Sequence, residues 1–497
     1  MTFACAKAAQ HRGSTMVGRC CRAALIGFLF TVRFSQAAAP EIDSASPLAV
    51  RLRVPTEITL SGTDLGDATQ LWTSFSAKWE SLGEGRFRIM TDAPLGFGAL
   101  RAFGSSGVSN LRFIALDDLP TIAEIQTNKT RATAQNINVS SAVDGRCEEL
   151  SYDWFRFSAA KGQRVPVEIV AARIGSRLDS VLRIVNSAGR ELARNDDGPG
   201  MNGDSMLTLI APETAEYSIE VRDVNYGGGS SFFYHLRLGG SPLASSRAKD
   251  SLSEREPNDV PAKATKISLT NNVVGRFDKA GDRDWYEFTM SKGERLEFRA
   301  ATRSLGSPCD VLLQIHSADG KRIARSNPSA ADEGIITHTF TNAGTYRLNV
   351  AEAIDAFGPE MFYQIAVKPA ASFALTLDTD RANVAPGKSF EIKVTATRGD
   401  FKGAITLGVE NLPGAFVLTN NVIAEGKTNV TMKVTAPETL TPGAWQTFSV
   451  FGAAKRDGKE MHVRAGTAPA LRKQLPLLLY PPPEFDGVIA LGIVQPK

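Results

Sequence analysis

Two segments of the 497-residue chain, 121–240 and 253–369, repeat one pattern of strands and turns. The run Asp-Trp-Phe-Arg-Phe at 153–157 matches Asp-Trp-Tyr-Glu-Phe at 284–288, and Tyr-Ser-Ile-Glu-Val at 217–221 matches Tyr-Arg-Leu-Asn-Val at 346–350. Apolar and polar residues alternate in these runs, as they do in half-buried antiparallel strands. Two copies indicate a duplicated unit rather than a solenoid. The sequence therefore predicts two tandem β-sandwiches, joined by a short polar linker at 241–252.

Two further segments, 40–119 and 371–470, flank the repeats and are also typical of β-sandwiches. Short alternating stretches lie between turns rich in Gly, Pro and Ser. We thus expect an all-β chain of four tandem sandwich modules. In the first segment, Trp72 and Trp79 flank Phe75; core packing is the favoured interpretation, and a sugar-stacking platform is the alternative. The tail at 471–497 contains an apolar stretch, 488–494, which is too short to span a membrane and is either an added edge strand or a disordered end.

Acidic and amide side chains gather at two places in the second repeat. The opening 253–259 reads Ser-Glu-Arg-Glu-Pro-Asn-Asp, and Gly-Asp-Arg-Asp at 281–284 leads into an aromatic strand. Pro257 biases the preceding residue toward extended geometry, so that Glu254, Glu256 and Asn258 point the same way, with Asp259 just beyond. Ca²⁺ takes six to eight oxygen ligands, and such a cluster suits it. The alternative is that Asn258 or Asp259 caps a short helical turn near 262–266.

The second repeat resembles the pre-peptidase C-terminal domain, a small jelly-roll-like β-sandwich of secreted bacterial proteins. The resemblance rests on Glu-x-Glu-Pro-Asn at 254–258, Gly-Asp-x-Asp at 281–284, Gly-Thr-Tyr at 344–346 and Phe-Tyr-Gln-Ile at 362–365. The flanking segments look like the immunoglobulin-like modules found beside such domains in planctomycete secreted proteins. Some members of the family, including the collagen-binding modules of clostridial collagenases, bind calcium where the acidic opening meets the later Asp pair. The resemblance implies a structural calcium ion with ligands from Glu254, Glu256, Asn258, Asp259, Asp282 and Asp284.

The first repeat differs from the second at these positions. It has Glu124, Gln126, Asn128 and Lys129 in its opening, and Ser151 where the second repeat has Asp282. The charge of Lys129 opposes cation binding. We therefore predict that only the second repeat binds calcium. The acidic loop at 195–204 of the first repeat is interpreted first as a turn, because it is rich in Gly, Pro and Asn, and a metal or ligand role is the alternative.

Residues 1–39 are typical of a secretory signal. Basic residues precede an apolar run at 23–32, and small residues follow at 37–39; initiation at Met16 would give a shorter signal. Without this segment the chain has 51 basic and 53 acidic residues, a net charge of −2. There is no basic stripe interleaved with aromatic residues, so we do not expect nucleic acid as a partner. We expect a secreted, periplasmic or cell-surface protein with no membrane span after removal of the signal.

The sequence contains no recognisable catalytic motif. The four histidines beyond the signal segment form no His-Glu-x-x-His pattern, and there is no Gly-x-Ser-x-Gly run. Only Cys147 and Cys309 remain after the signal, at non-equivalent positions, so each is expected to be a small buried residue rather than part of a disulfide. We expect a non-catalytic binding, adhesion or accessory protein whose partner is an extracellular polysaccharide or protein. The alternatives are a secreted hydrolase with an unrecognised active site and a structural component of the cell envelope.

Overall fold

The computed structural model describes residues 39–198, 201–241, 243, 251–268, 272–305, 307–326, 333–358, 361–399, 401–412, 416–456 and 458–496. Residues 1–38 of the expected signal segment and most of the expected linker lie outside the described residues. Within the described part, strands dominate and α-helix is confined to α1 (Ala468–Gln474). The predicted all-β fold class and its multi-sandwich architecture are confirmed. None of the helices in the described ranges combines the length and the apolar character needed to cross a bilayer.

The first sandwich packs two sheets around a core that includes Ile58, Phe87 and Ile89. The sheets have the orders β1-β3-β6-β5 and β2-β9-β7-β4, with β8 paired to β7. The strands are β1 (Glu41–Ser46), β2 (Ala49–Arg51), β3 (Thr56–Thr63), β4 (Gln70–Thr73), β5 (Lys78–Gly83), β6 (Arg86–Met90), β7 (Gly96–Gly104), β8 (Gly107–Val108) and β9 (Arg112–Asp117).

The tryptophans of the first sandwich do not share a surface. Trp72 lies on β4 and packs edge-on against Trp445, with ring centroids 6.4 Å apart. Trp79 lies on β5, in the other sheet. Phe75 packs against the core of this sandwich. The packing interpretation therefore holds for Trp72 and Phe75, and the three rings form no common platform.

The two repeats have the same strand order. In the first, the sheets run β10-β12-β19-β14-β17 and β11-β13-β18-β15-β16; in the second, each strand is replaced by the one numbered ten higher. The strands of the first are β10 (Thr121–Ala123), β11 (Gln135–Asn136), β12 (Ser141–Arg146), β13 (Asp153–Ala159), β14 (Arg164–Val170), β15 (Ser180–Asn186), β16 (Glu191–Asn195), β17 (Met206–Ile210), β18 (Ala215–Asp223) and β19 (Phe233–Leu238). Those of the second are β20 (Ser251–Ser253), β21 (Thr265–Lys266), β22 (Asn272–Arg276), β23 (Arg283–Met290), β24 (Arg295–Ala301), β25 (Val311–Ser317), β26 (Arg322–Arg325), β27 (Ile335–Thr339), β28 (Gly344–Glu352) and β29 (Phe362–Pro369).

Short 3-10 helices accompany the strands of each repeat. They are Arg131–Thr133, Ala172–Ile174, Pro261–Lys263 and Arg303–Leu305, and a fifth, Pro483–Phe485, lies in the tail. Cys147 and Cys309 are free and buried, one in the core of each repeat, as predicted.

The last module is built from β30 to β39 and includes the tail. Its strands are β30 (Ala374–Leu377), β31 (Arg381–Val384), β32 (Ser389–Thr397), β33 (Ile405–Glu410), β34 (Val417–Thr419), β35 (Val422–Ile423), β36 (Asn429–Thr435), β37 (Trp445–Arg456), β38 (Lys459–Gly466) and β39 (Ile489–Ile493). The apolar stretch of the tail is β39, whose five residues are all buried between β31 and β37. It is therefore a strand, paired on both sides, and not a disordered end.

A set of buried charges joins the first sandwich to the first repeat; we call it the junction network. Asp117 lies at the end of β9, and its Oδ2 is 2.9 Å from Nε2 of His235 and 2.7 Å from Nε of Arg237. His235 also contacts Asp144 at 2.6 Å, and Arg237 contacts Glu168 at 2.7 Å. Burial alone would lower the pKa of His235, but the hydrogen bonds to Asp117 and Asp144 raise it to about 9. At neutral pH the histidine is therefore an imidazolium, which neutralises part of the surrounding negative charge.

The junction network predicts that Asp117→Asn destabilises the chain strongly. The substitution leaves two buried cations, His235 and Arg237, short of one negative charge. Removal of one partner from a buried ion pair costs about 3–5 kcal/mol. Denaturant unfolding followed by circular dichroism measures the change in the free energy of unfolding. The control is Asp118→Asn, because the Asp118 side chain is 53% exposed and 4.0 Å from Arg237; equal losses for the two variants would contradict the importance of the network.

Candidate metal centre

The acidic opening of the second repeat lies beside the start of β23. Backbone hydrogen bonds hold it there: Glu254 donates to the carbonyl of Val274, and Trp285 donates to the carbonyl of Asn258. The opening therefore runs next to β22 and β23, the strands that flank the Gly-Asp-Arg-Asp turn. This placement brings together the two acidic stretches, which are a strand apart in the sequence.

Five of the six predicted ligands form two overlapping groups. The inner group is Glu254, Glu256 and Asp284, and the outer group is Glu256, Asp259 and Asp282. In each group, one oxygen from each residue lies within 4.8 Å of the others. The sixth residue, Asn258, lies between Glu256 and Asp259 in the sequence, and its side chain is fully buried. The structure thus brings the predicted acidic residues together, and Glu256 belongs to both groups.

Hydrogen bonds orient the inner carboxylates. The backbone N–H of Arg276 donates to Oε1 of Glu254 at 2.7 Å, and the hydroxyl of Tyr363 donates to Oδ2 of Asp284 at 2.6 Å. Tyr286 in turn lies 2.6 Å from the Tyr363 hydroxyl and 3.3 Å from Oε2 of Glu254. Oδ1 of Asp284 is buried and receives no hydrogen bond from an N–H or hydroxyl group, so only a proton shared with Glu254 or a bound cation can satisfy it. A buried carboxylate oxygen without a partner is costly, and a cation would satisfy it.

The outer group has a cation of its own. Nζ of Lys279 lies 2.8 Å from Oδ1 of Asp259 and 4.0 Å from Asp282. Asp282 also accepts backbone N–H groups from Asp278 and Arg283, at 2.7 and 3.1 Å. The Lys279 side chain is 56% exposed, so it covers the outer carboxylates from the solvent side. Charge is thus partly balanced in the outer group and unbalanced in the inner one.

Burial, together with repulsion between the carboxylates, raises the pKa of the inner acids. Burial, followed by repulsion from Glu254, raises the pKa of Asp284 to about 9. Burial also raises the pKa of Glu254. Without a cation the inner group therefore holds a proton at neutral pH. A divalent ion that bound there would displace this proton.

The helix-cap alternative is wrong. The 3-10 helix Pro261–Lys263 has Val260 as its N-cap, and no side chain makes a capping hydrogen bond. Asn258 and Asp259 therefore do not serve as caps. The backbone N–H of Asn258 instead donates to Oε2 of Glu256 at 3.0 Å, which keeps the opening compact.

In the first repeat, a lysine lies between the equivalent carboxylates. Nζ of Lys129 is 3.0 Å from Oε1 of Glu124 and 2.5 Å from Oδ1 of Asp153. Oδ2 of Asp153 accepts a hydrogen bond from Tyr234 at 2.9 Å. Both oxygens of Asp153 are therefore bound by donors, whereas only one oxygen of Asp284 receives an N–H or O–H hydrogen bond. The charge of the ammonium lies where the sequence suggested that it would oppose a metal ion.

The buried amides at the two openings do not distinguish the repeats. Asn258 has no hydrogen-bond partner for either side-chain atom, and neither has Asn128 in the first repeat. The repeats differ instead in the partners of the equivalent carboxylates Asp284 and Asp153. They also differ at Tyr286, because Phe155 takes that position in the first repeat and has no hydroxyl to donate. The sequence comparison of the repeats contained this signal, but the role of the tyrosine hydroxyls was not predicted.

The acidic loop of the first repeat has a structural role at Asp204. This carboxylate is fully buried and accepts hydrogen bonds from the backbone of Ala171 and Ala172 and from Nε of Arg173, at 3.0, 2.6 and 2.7 Å. Asp196, in contrast, is exposed and 4.0 Å from Arg194. Residues 199 and 200 of the loop lie outside the described residues.

Comparison with known proteins gives a partial relative. No family model matches the chain. A probable subtilase-type serine protease of Deinococcus radiodurans is 32% identical over 286 residues, which is 50% of this chain and 39% of the relative. The chain thus spans well under half the length of that protein.

The similarities to solved structures are weak. A DUF4785 family protein of Legionella pneumophila is 10% identical, with a TM-score of 0.15, and the match covers 45% of this chain and 70% of that one. Domains 1–6 of the surface layer protein SbsC are 11% identical, with a TM-score of 0.14, covering 86% of this chain and 54% of that one. At these TM-scores neither structure bears on function.

The geometry predicts that Lys129→Met destabilises the first repeat. Loss of the ammonium leaves Glu124 and Asp153 facing each other with no cation between them, which costs about 1–3 kcal/mol. Burial and then Glu124 already raise the pKa of Asp153 to about 7, so protonation relieves the repulsion at low pH. The deficit in thermal stability should therefore be larger at pH 8 than at pH 5. Lys161→Met, at an exposed turn of the same repeat, is the control, and an equal effect of both variants would contradict the role of Lys129.

Proposed function

We propose that this chain is a secreted, non-catalytic binding or accessory protein of tandem β-sandwiches whose second repeat binds Ca²⁺ through the inner acidic group. One observation carries the metal assignment. No N–H or hydroxyl group donates to the buried Oδ1 of Asp284, whereas its counterpart on Asp153 is bound by Lys129. The same scaffold thus has a lysine between these carboxylates in one copy and none among the described residues of the inner group in the other.

The donor set suits calcium better than other metals. The candidate ligands are carboxylates and one amide, with no histidine or cysteine among them. Hard oxygen donors favour Ca²⁺ or Mg²⁺, and zinc prefers nitrogen and sulfur. Ca²⁺ accepts six to eight ligands in flexible geometry, which fits a group of mixed side chains better than the strict octahedron of Mg²⁺.

The role of this ion would be structural. Glu254 and Glu256 lie in the opening segment, and Asp284 lies on β23. An ion held by all three would tie the opening to the sandwich. It would also replace the proton that the inner group otherwise retains. The site contains no nucleophile beside a general base, so we assign it no catalytic step.

The partial relative supports an accessory role. Subtilisin-like catalytic domains are α/β folds, whereas the described residues of this chain contain one α-helix of seven residues. The region that resembles the protease relative is thus not of that fold type. His235 also fits a non-catalytic reading, because carboxylates hold both of its ring nitrogens. The proposed partner is an extracellular polysaccharide or protein.

Calcium titration of the chain from residue 40 onward tests the metal site. We expect one ion to bind, and Asp284→Asn to weaken binding by more than about 10-fold, because it removes a buried ligand charge. The matched control is Glu124→Gln in the first repeat, which should leave the titration unchanged. Absence of binding in the parent chain, or equal weakening by both variants, would overturn the calcium assignment.

Calcium affinity should also depend on pH. The ion needs the deprotonated carboxylate, and the pKa of Asp284 is about 9 without it. Affinity should therefore rise as the pH increases from 6 toward 9, with protons released on binding. Isothermal titration in buffers of different ionisation enthalpy measures this release. Release should be absent in Asp284→Asn, and binding without proton release in the parent chain would contradict the proposed inner site.

A further inference from the structure

The first repeat has an open cleft on the outer face of the sheet β11-β13-β18-β15-β16. Its volume is about 450 Å³, within the range of clefts that bind small ligands. Trp154 and Val181 lie at its base, on β13 and β15. Tyr152 and Tyr226 line it from the loops that precede β13 and follow β18. We call this site the sheet-face cleft.

Aromatic rings and guanidinium groups lie against one another in the sheet-face cleft. The rings of Tyr152 and Tyr226 are 5.8 Å apart at 82°, with their hydroxyls 3.4 Å from each other. Arg222 lies 4.5 Å from the Tyr226 ring centroid, and Arg183 lies 5.8 Å from that of Trp154. Tyr226 has φ of 57°, a conformation that a bulky residue rarely adopts. The equivalent Asp355 of the second repeat has φ of 60°, so both repeats share this turn and only the first has an aromatic ring on it.

Positive charge exceeds negative charge among the lining residues. Arg183 is paired with Glu191 at 3.6 Å and with Glu220, the two acids of the lining. Arg222 donates only to the backbone carbonyls of Asp223 and Val224, so no carboxylate neutralises it within the described ranges. The Arg131 side chain has no acceptor among the described residues. These two arginines are available for an anionic ligand.

The second repeat shows that the scaffold does not require this arrangement. Strand register aligns Arg183, opposite Glu220, with Gln314, opposite Asn349. In the same register, Ala351 takes the place of Arg222. Where the first repeat has the pair Tyr152 and Tyr226, the second has an ion pair of Arg283 and Asp355 at 2.7 Å. The tyrosine pair and Arg222 are thus specific to the first repeat.

We propose that the sheet-face cleft binds a carboxylate-bearing saccharide; this deepens, and rests on, the binding role proposed above. Tyrosine rings offer flat apolar surfaces to sugar faces, and arginine forks bind carboxylates in a bidentate manner. An extended acidic peptide is less suited, because peptides commonly bind by adding a strand to a sheet edge. The cleft lies on a sheet face, where the backbone groups are already paired within the sheet. Recognition there depends on side chains alone.

Titration with trigalacturonate tests the inference on the chain from residue 40 onward. We expect Arg222→Gln and Arg131→Gln each to weaken binding at least fivefold. Added salt should weaken binding by the parent chain. The neutral methyl ester of the saccharide should bind the parent chain at least fivefold more weakly than the acid. Arg131 is exposed, so its variant remains informative if Arg222→Gln unfolds. The control is Arg325→Gln in the second repeat, at the position that matches Arg194, and it should bind like the parent chain.

Three results would overturn the assignment. They are no binding of trigalacturonate, binding that is insensitive to both cleft variants, and tighter cleft-dependent binding of a polyglutamate peptide. The titration is repeated with Asp284→Asn and with a chelator, since the cleft and the candidate metal site lie in different repeats. Saccharide binding by a parent chain that binds no calcium would remove the metal proposal alone. Calcium binding without saccharide binding would remove the cleft proposal alone.

Discussion

Neutralisation of buried carboxylates is the constraint on which the joins between modules depend. Asp117 is held by His235 and Arg237 at the first join. Asp380, in the last module, is held by Arg101 of the first sandwich at 2.6 Å, with both side chains almost fully buried. An unpaired charge at either place would cost several kcal/mol. Each acid is therefore matched by a cation from another module, and the pairs fix the modules against each other.

Apolar packing supports the same joins. The tail helix α1 contributes to a core shared with the first sandwich and the first repeat, which contains Leu48, Phe113, Ile174, Phe233, Leu471 and Leu475. Gly175 lies against this core with φ of 86°, and a Cβ there would be 2.7 Å from Leu475. A side chain at this position would force the Leu475 side chain to shift. Helix α1 of the tail therefore packs against both the first sandwich and the first repeat, and strand β39 of the tail pairs within the last sandwich.

The sequence predicted the features that depend on local pattern. Alternation of apolar and polar residues is read within single strands, so the sandwiches and their duplication were predictable. The convergence of Glu254 and Glu256 followed from extended geometry, and the opposing charge of Lys129 followed from comparison of the repeats. The junction network was not predictable, because Asp117 and His235 are far apart in the chain and meet only after two modules pack. For the same reason the sequence did not show that β39 lies between two strands of the last module.

The sheet-face cleft was also hidden from the sequence, since its residues come from strands and loops that only the register brings together. Trp154 has a counterpart in Trp285, so the sequence at this position does not distinguish the two repeats. Only the structure shows that the neighbours of these two tryptophans differ in charge and in aromatic character.

The two repeats differ in how the acidic residues at their openings are neutralised. A lysine within the chain neutralises Glu124 and Asp153 at every concentration of metal. The second repeat has no such residue in its inner group, so its stability under the calcium proposal would depend on the concentration of an external ion. Stability would increase with ion concentration, because a ligand that binds only the folded state adds RT ln(1 + [L]/Kd) to the free energy of unfolding. The first repeat, with its internal cation and its cleft, would then keep its binding surface ordered whether or not calcium is present, while the second would become fully stable only where the ion is abundant.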